Sequence, residues 1–368
     1  MKRLIILLTI TALIGLPACE QSTGPEAYTY PWETAPPQEH DLDAELLAEA
    51  SLAANQLNYL NCLLIVKDGV LVLEEYFRGY KPEDAHRVMS VTKSFLSALI
   101  GIAIEEELIG GVDEKVLDWL PDYDYSGIDR RKRNISIKHL LTMRAGYDND
   151  RELFHDLYYS GDWISAIIQT PLIASPGGSF GYNSFLTHLN SVILTRAAGE
   201  STLQFAKTHL FEPLEIQLHS WERGPSGYFF GGSGMQLTPR DMARFGYLYL
   251  NNGSLDGNEI VPADWIENSF RKYSEFTNSW GNLEGLGYGY GYGWWLRQIG
   301  GYEVRLAVGH GGQFIILFPA LDMLIVTTAD PDVDWDQANQ HERAILSMVS
   351  ESILPAITSI LSDHSSVR

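Results

Sequence analysis

The chain of 368 residues carries 45% hydrophobic and 20% charged side chains, a globular composition that excludes a disordered or fibrous protein and supplies apolar material for a sizeable core. Lys and Arg number 26 against 47 Asp and Glu, a formal charge of −21, so a phosphate backbone would be repelled over most of the surface and nucleic acid is not expected as a partner. The acidic residues are spread along the chain rather than run together, which reads as a solvated surface and not as an acidic binding tail.

The chain opens MKRLIILLTITALIGLPACEQ: two basic residues, an apolar run from Leu4 to Leu16, and small residues up to Cys19. Residues 1–18 read as a signal peptide, too short to span a bilayer as a helix. The ending LPAC resembles a bacterial lipoprotein cleavage box in which Cys19 becomes the lipidated first residue. Pro17 is an unusual occupant of that box, so a plain secretory signal stays open beside it. The expectation is an exported protein, anchored to the membrane by lipid and facing the periplasm or the cell exterior. Lipidation of Cys19 leaves Cys62 as the only other thiol, so no intrachain disulfide is expected. Cys62, inside NCLLIVKDGVLVLEEYF, reads as a buried strand residue.

Residues 19–40 are rich in Pro and polar residues and have no apolar period, as in a tether, and 41–368 read as one domain. From Asp41 the pattern turns helical, with Asp41 or Asp43 as N-cap. LLIVK and VLVLEEYF then form a hairpin across Asp68-Gly69. Residues 106 to about 280 read mainly as a helical subdomain. Within it Thr238 can cap a helix, Pro239 suits its first position, and Asp241 favours its positive end. The glycine and aromatic run GLGYGYGYGWW, 285–295, reads as close backbone approach under aromatic cover rather than as a sugar platform. Strands return in YEVRLAVGH, QFIILFP and DMLIVTTA. DPDVDWDQ lacks the central Gly and terminal Glu of a calcium loop and reads as an exposed acidic turn. A last helix runs over HERAILSMVSESILPAITSIL. Strands at both chain ends with helices between them predict an α+β fold: one antiparallel sheet built from both ends, flanked by helices, with a mostly helical insertion and a cleft between the subdomains.

Three motifs carry chemistry. Ser90 and Lys93, in RVMSVTKSFLSALIG, share a helical face, so the amine can reach the hydroxyl. The spacing alone is weak, because Ser269 and Lys272 repeat it among charged neighbours. The helix after Ser90 is apolar all round (Val91, Phe95, Leu96, Leu99, Ile100, Ile102), hence buried, and a lysine in its first turn needs a reason. Capping of that helix is the competing reading for Ser90. Tyr182 follows a Pro-Gly turn and opens another apolar helix, with Ser184 two residues on, although the same bare pattern also fits Tyr59, Tyr147, Tyr158 and Tyr249. At His310 a strand ends, two glycines follow, and Gln313 begins the next strand. Glycines there allow backbone N–H groups close to a substrate, as an oxyanion site needs, while a surface turn is the alternative. Tyr158, Tyr159 and Trp163 either line the cleft or pack.

Taken in order, SVTKSF, ISIKHLLTMRAGY, SPGGSFGYNS, GGSGMQLTPRDMARFGYLYLNNG, YGYGWW and GHGGQ resemble the serine β-lactamase and penicillin-recognising superfamily. The resemblance runs from about Leu63 to Thr328 and is to the class C-like branch that holds esterases and 6-aminohexanoate-dimer hydrolases. It implies the β-lactamase/transpeptidase-like fold. It also implies Ser90 as acylated nucleophile, Lys93 as its partner, Tyr182 as general acid/base, and the N–H groups of Ser90 and Gln313 as oxyanion hole, with Ser184, His310 and Gly312 on the substrate side. Two departures matter: His310-Gly311-Gly312 stands where lactamases carry Lys-Thr-Gly, and Ser184 where they carry Asn. A lysine in the former place would recognise the β-lactam carboxylate.

The implied reaction is acyl transfer from a small ester, amide or peptide, without metal or cofactor. Free Tyr and Lys have pKa values near ~10 and ~10.4, so lowering either by about 3 units takes on the order of 4 kcal/mol. The competing readings are a β-lactamase or D-amino-acid peptidase acting on cell-wall-like substrates, and a catalytically silent lipoprotein that holds a ligand.

Overall fold

The computed structural model describes residues 31–275 and 289–358. The N-terminal apolar run, Cys19 and positions 285–288 of the glycine and aromatic run lie outside them. In chain order come α1 (Ala44–Gln56), β1 (Leu60–Lys67), β2 (Val70–Tyr76), β3 (His86–Arg87), α2 (Thr92–Glu105), α3 (Ile137–Leu141), α4 (Asp150–Tyr158), α5 (Trp163–Gln169), α6 (Ser184–Ala198) and α7 (Thr202–Ala206). They are followed by β4 (Ser220–Trp221), β5 (Met235–Leu237), α8 (Pro239–Leu250), β6 (Ser254–Leu255), β7 (Asn258–Glu259) and α9 (Ala263–Ser269). The chain then runs through β8 (Gly289–Tyr290), β9 (Trp295–Ile299), β10 (Tyr302–Gly309), β11 (Gln313–Phe318), β12 (Met323–Ala329) and α10 (Trp335–Met348).

Among the described residues, seven of these strands form one sheet in the order β2-β1-β12-β11-β10-β9-β8, every neighbouring pair antiparallel. The two chain ends meet where β1 pairs with β12, from Leu63 opposite Thr327 to Lys67 opposite Met323. The fold is thus the α+β arrangement expected from strands at both ends. The hairpin turn holds Asp68 at φ 52° and Gly69 at φ 82°, the left-handed conformation at both positions that matches strand twist. Strands β1, β11 and β12 are buried at every residue, which explains their continuous apolar runs: layers cover both faces. Helix α8 packs across β1, β11 and β12, while α1 packs on β1 and on α10. Cys62 is fully buried within β1, and burial pushes its thiol up to about 12.

Four boundaries differ from the sequence pattern. Residues 31–40, read as tether, are packed: Trp32 is buried edge-on to Tyr247, its indole N–H donates to the Arg240 carbonyl, and Thr34 bridges to Leu71. The mostly helical stretch from 106 holds strands as well among its described residues. β3, β4 and β5 form a small antiparallel sheet, and α8 belongs to the layer on the large sheet because its apolar side has strands to cover. The last helix starts at Trp335 rather than His341, capped by Asp334, whose carboxylate accepts from the N–H groups of Asp336 and Gln337. Finally, α2 begins at Thr92, and a tight turn over Met89–Val91 precedes it. Of the other caps, Asp43 closes α1 and Thr238 closes α8.

Candidate active site

Ser90 sits in the turn before α2, partly exposed, directly after Met89 at φ 49°. A bulky residue at positive φ is held there by its surroundings. The Thr92 hydroxyl donates to the Met89 carbonyl at 2.7 Å and the Val88 N–H donates to Met235 O at 3.1 Å. No side chain caps the turn or α2, so Ser90 is not serving as a helix cap. The ends of β10 and β11 pack on this turn.

Lys93 lies one helical turn on, 1% exposed. Its amine contacts three oxygens: Ser90 Oγ at 2.7 Å, Ser184 Oγ at 2.9 Å and the Gly232 carbonyl at 2.6 Å. Gly232 is required for the last contact, since a Cβ there would lie 2.5 Å from Ser184 O and 2.6 Å from Ser184 Cβ. The amine also stands 4.7 Å from the centroid of the Tyr182 ring.

Tyr182 is buried, and its phenol shares a hydrogen bond with Ser90. Its ring stacks on Trp295 at 5.3 Å and meets Tyr290 edge-on at 6.1 Å. The aromatic run therefore splits: Tyr290, Tyr292 and Trp294 pack, while Trp295 faces the cleft.

One residue at the centre of this cluster carried no signal in the sequence. Asp150, 3% exposed at the start of α4, accepts from the Ser184 N–H at 2.7 Å with Oδ1 and from the Ser184 hydroxyl at 2.6 Å with Oδ2. Its own N–H donates to Tyr182 O at 2.8 Å. An acid in a first helical turn is ordinary, so the sequence pattern did not set Asp150 apart.

Burial dominates the electrostatics. It lowers the Lys93 amine to about 7, against the opposing pull of Asp150, which favours the neutral, basic form near neutral pH. Burial likewise raises the Asp150 carboxyl, with Lys93 and the two Ser184 hydrogen bonds acting the other way. The Tyr182 phenol is pushed well above its ordinary value, first by burial and then by Tyr290, so it stays protonated. An uncharged lysine beside a protonated tyrosine is one base and one acid, both touching the same serine.

The third motif closes the cleft differently from its sequence reading. The His310 ring nitrogen Nε2 is hydrogen-bonded to the Val333 carbonyl at 2.9 Å, and the ring stands edge-on to Trp335. It pins the acidic turn as well as lining the cleft. Gly312 completes the turn, its N–H donating to Gly309 O at 3.3 Å. The Gln313 side chain is buried in the sheet, donating to the carbonyls of His310 and Ala329, and so does not itself line the cleft. Gly311 N–H donates to Glu342 at 3.1 Å, a buried cleft carboxyl that burial raises to about 8.

These residues surround a cleft of about 640 Å³ that contains Ser90, Asp150, Tyr182, Ser184 and His310. Phe154, Tyr158, Trp221, Phe230, Trp295 and Trp335 give it an aromatic wall, and Glu222, Asp334 and Glu342 add carboxyls. Of the undecided aromatics, Tyr158 lines it, Trp163 packs at 3% exposure, and Tyr159 points out at 73%. The Ser269 repeat is structural: its hydroxyl donates to the Trp265 carbonyl, and Lys272 pairs with Glu275.

Residues 61–346 match the protein family described as Beta-lactamase. The 6-aminohexanoate-dimer hydrolase of Paenarthrobacter ureafaciens is 27% identical over 317 residues, which span 78% of each chain. Among solved structures, the octameric penicillin-binding protein homologue from Pyrococcus abyssi superposes with a TM-score of 0.63 at 18% identity, over 84% of this chain and 78% of that one. A D-stereospecific amidohydrolase from Streptomyces sp. superposes with a TM-score of 0.63 at 16% identity, over 82% of this chain and 98% of that one.

Proposed function

The chain belongs to the beta-lactamase family of serine hydrolases, and we propose that within it the protein is an exported esterase or amidase that cleaves small molecules through an acyl-enzyme on Ser90. The observation that carries this reading is the contact of one partly exposed serine with both a buried amine and a buried phenol. Neutral Lys93 takes the Ser90 proton as Oγ attacks the carbonyl carbon, and the N–H groups of Ser90 and Gln313 receive the oxyanion. As the tetrahedral intermediate collapses, the C–O or C–N bond breaks, Tyr182 gives its proton to the leaving group, and Lys93 returns a proton to Tyr182. Water then attacks the acyl carbon, loses a proton to Lys93, and releases the acid as Ser90 recovers its hydrogen. A silent ligand-binding role leaves the shared contacts of Lys93 and Tyr182 with Ser90 without a purpose.

The ester and amide side is preferred to β-lactams on charge. No Lys-Thr-Gly lysine stands at the third motif, and the cleft adds the carboxyls of Glu222 and Asp334 instead. Opposing an anionic substrate with like charge costs several kcal/mol, so short-chain nitrophenyl esters are expected to turn over at least about 10²-fold faster than nitrocefin. Faster nitrocefin turnover would move the assignment to a lactamase.

Export and lipid attachment belong to the same proposal and rest on the pattern of residues 1–19. Expressed from its full-length gene in bacteria, the protein is expected in the membrane fraction, and Cys19→Ser is expected to release it. Retention of the variant on membranes would remove the anchor.

A further inference from the structure

We propose that Asp150 is a positioning residue for this acyl transfer, acting through Ser184 to aim the lone pair of neutral Lys93 at Ser90, an inference that rests on the Ser90 acyl-enzyme reading.

Neutral Lys93 has two N–H bonds and one lone pair, and its nitrogen touches three oxygens, those of Ser90, Ser184 and Gly232. The Gly232 carbonyl can only accept. A serine hydroxyl can donate or accept, so Ser184 decides where the lone pair goes. If Ser184 gave its hydrogen to Lys93, it would occupy the lone pair and quench the base.

Asp150 removes that choice. Its Oδ2 takes the Ser184 hydroxyl hydrogen at 2.6 Å, while its Oδ1 holds the Ser184 backbone N–H at 2.7 Å and fixes the side chain in place. Ser184 is then an acceptor toward Lys93. Both amine hydrogens are spent on Ser184 and Gly232, and the lone pair is left for the hydrogen of Ser90 Oγ. Once that proton has moved, the same carboxylate lies two hydrogen bonds from the new ammonium and stabilises it.

The ionisable groups around this chain are Lys93, Asp150, Tyr182, Tyr290 and Glu342. Tyr182 and Tyr290 are held protonated by burial. Glu342 acts on Tyr182, while the charge acting on Lys93 is that of Asp150.

The test compares Asp150→Asn and Ser184→Ala with wild type on a nitrophenyl ester, reading kcat, KM, thermal stability and the pH profile. Asp150→Asn is expected to lower kcat by on the order of 10²-fold with KM little changed, the usual scale for a misdirected general base. It is also expected to move the acid limb of kcat/KM to lower pH, because the carboxylate that holds the proton on Lys93 is gone. Ser184→Ala keeps that charge and is expected to lower kcat while leaving the acid limb near its wild-type place. A wild-type pH profile for Asp150→Asn, or a loss lying wholly in KM, would overturn the inference, the latter by making Asp150 a substrate contact. Should Asp150→Asn fail to fold, Ser184→Ala decides: a lowered kcat at unchanged KM supports the chain of hydrogen bonds, and a wild-type kcat overturns it. Ester hydrolysis by Ser90→Ala would sink the acyl-enzyme reading itself. An inactive Ser90→Ala beside a wild-type Asp150→Asn would sink only the role of Asp150.

Discussion

Ser90→Ala is expected to lose ester hydrolysis by on the order of 10³-fold or more in kcat, as removal of a nucleophile does when the rest of the site cannot substitute. Its stability is expected to change little. The serine is partly exposed, caps no helix, and makes one hydrogen bond with Lys93 while sharing another with Tyr182. Initial rates on a nitrophenyl ester, read beside a thermal melt, check both halves. A Ser90→Ala protein that folds and hydrolyses at the wild-type rate would place the nucleophile elsewhere.

The second large effect concerns the base. Burial brings the Lys93 amine down to about 7, so kcat/KM is expected to be full above about 7 and to fall as pH drops through it and the amine takes a proton. Lys93→Met keeps the length of the side chain and fills the same buried space without an amine. It is expected to lower kcat by on the order of 10²- to 10⁴-fold and to erase the acid limb near 7. The same substitution bears on stability with a definite sign. Between about 7 and the ordinary lysine value of 10.5, the unfolded chain holds a proton that the folded one does not, so folding stability gains as pH rises through that window. Lys93→Met is expected to flatten that rise. An acid limb that persists unchanged in Lys93→Met would assign it to another group.

The sequence carried the fold because its signals were local and agreed with one another. Asp68-Gly69 between two β-rich runs can be little other than a hairpin, and the unbroken apolar runs of β1, β11 and β12 need cover on both faces. Ser90 and Lys93 were legible for a different reason. A lysine inside an apolar helix is a cost that calls for explanation, and the cost is absent at Ser269, where the neighbouring Lys272 reaches solvent and an acid.

Asp150 comes to Ser184 from 34 residues away, and no spacing rule links a first-turn acid to a distant hydroxyl. Glu342 is similar: it sits mid-helix in α10, a place where acids are common, and only the packing of α10 behind the Gly311 turn buries it against the cleft. His310 and Gln313 were found as positions, but their side chains turned to holding the turn together. A β-turn leaves carbonyls to satisfy, and polar side chains next to it meet that demand first. Residues 31–40 look like a tether on composition, yet Trp32 finds a groove beside Tyr247, and backbone hydrogen bonds between Glu33, Ala35 and Leu71 hold the segment beside β2.

Covalent labelling reads directly whether Ser90 carries the acyl group. The protein expressed without residues 1–19 would be treated with a fluorophosphonate probe, digested, and the modified peptide sequenced by mass spectrometry. The expected result is a single adduct on Ser90, slowed as pH falls through about 7 as Lys93 protonates. An adduct on another residue, or no adduct on a folded protein that hydrolyses esters, would contradict it.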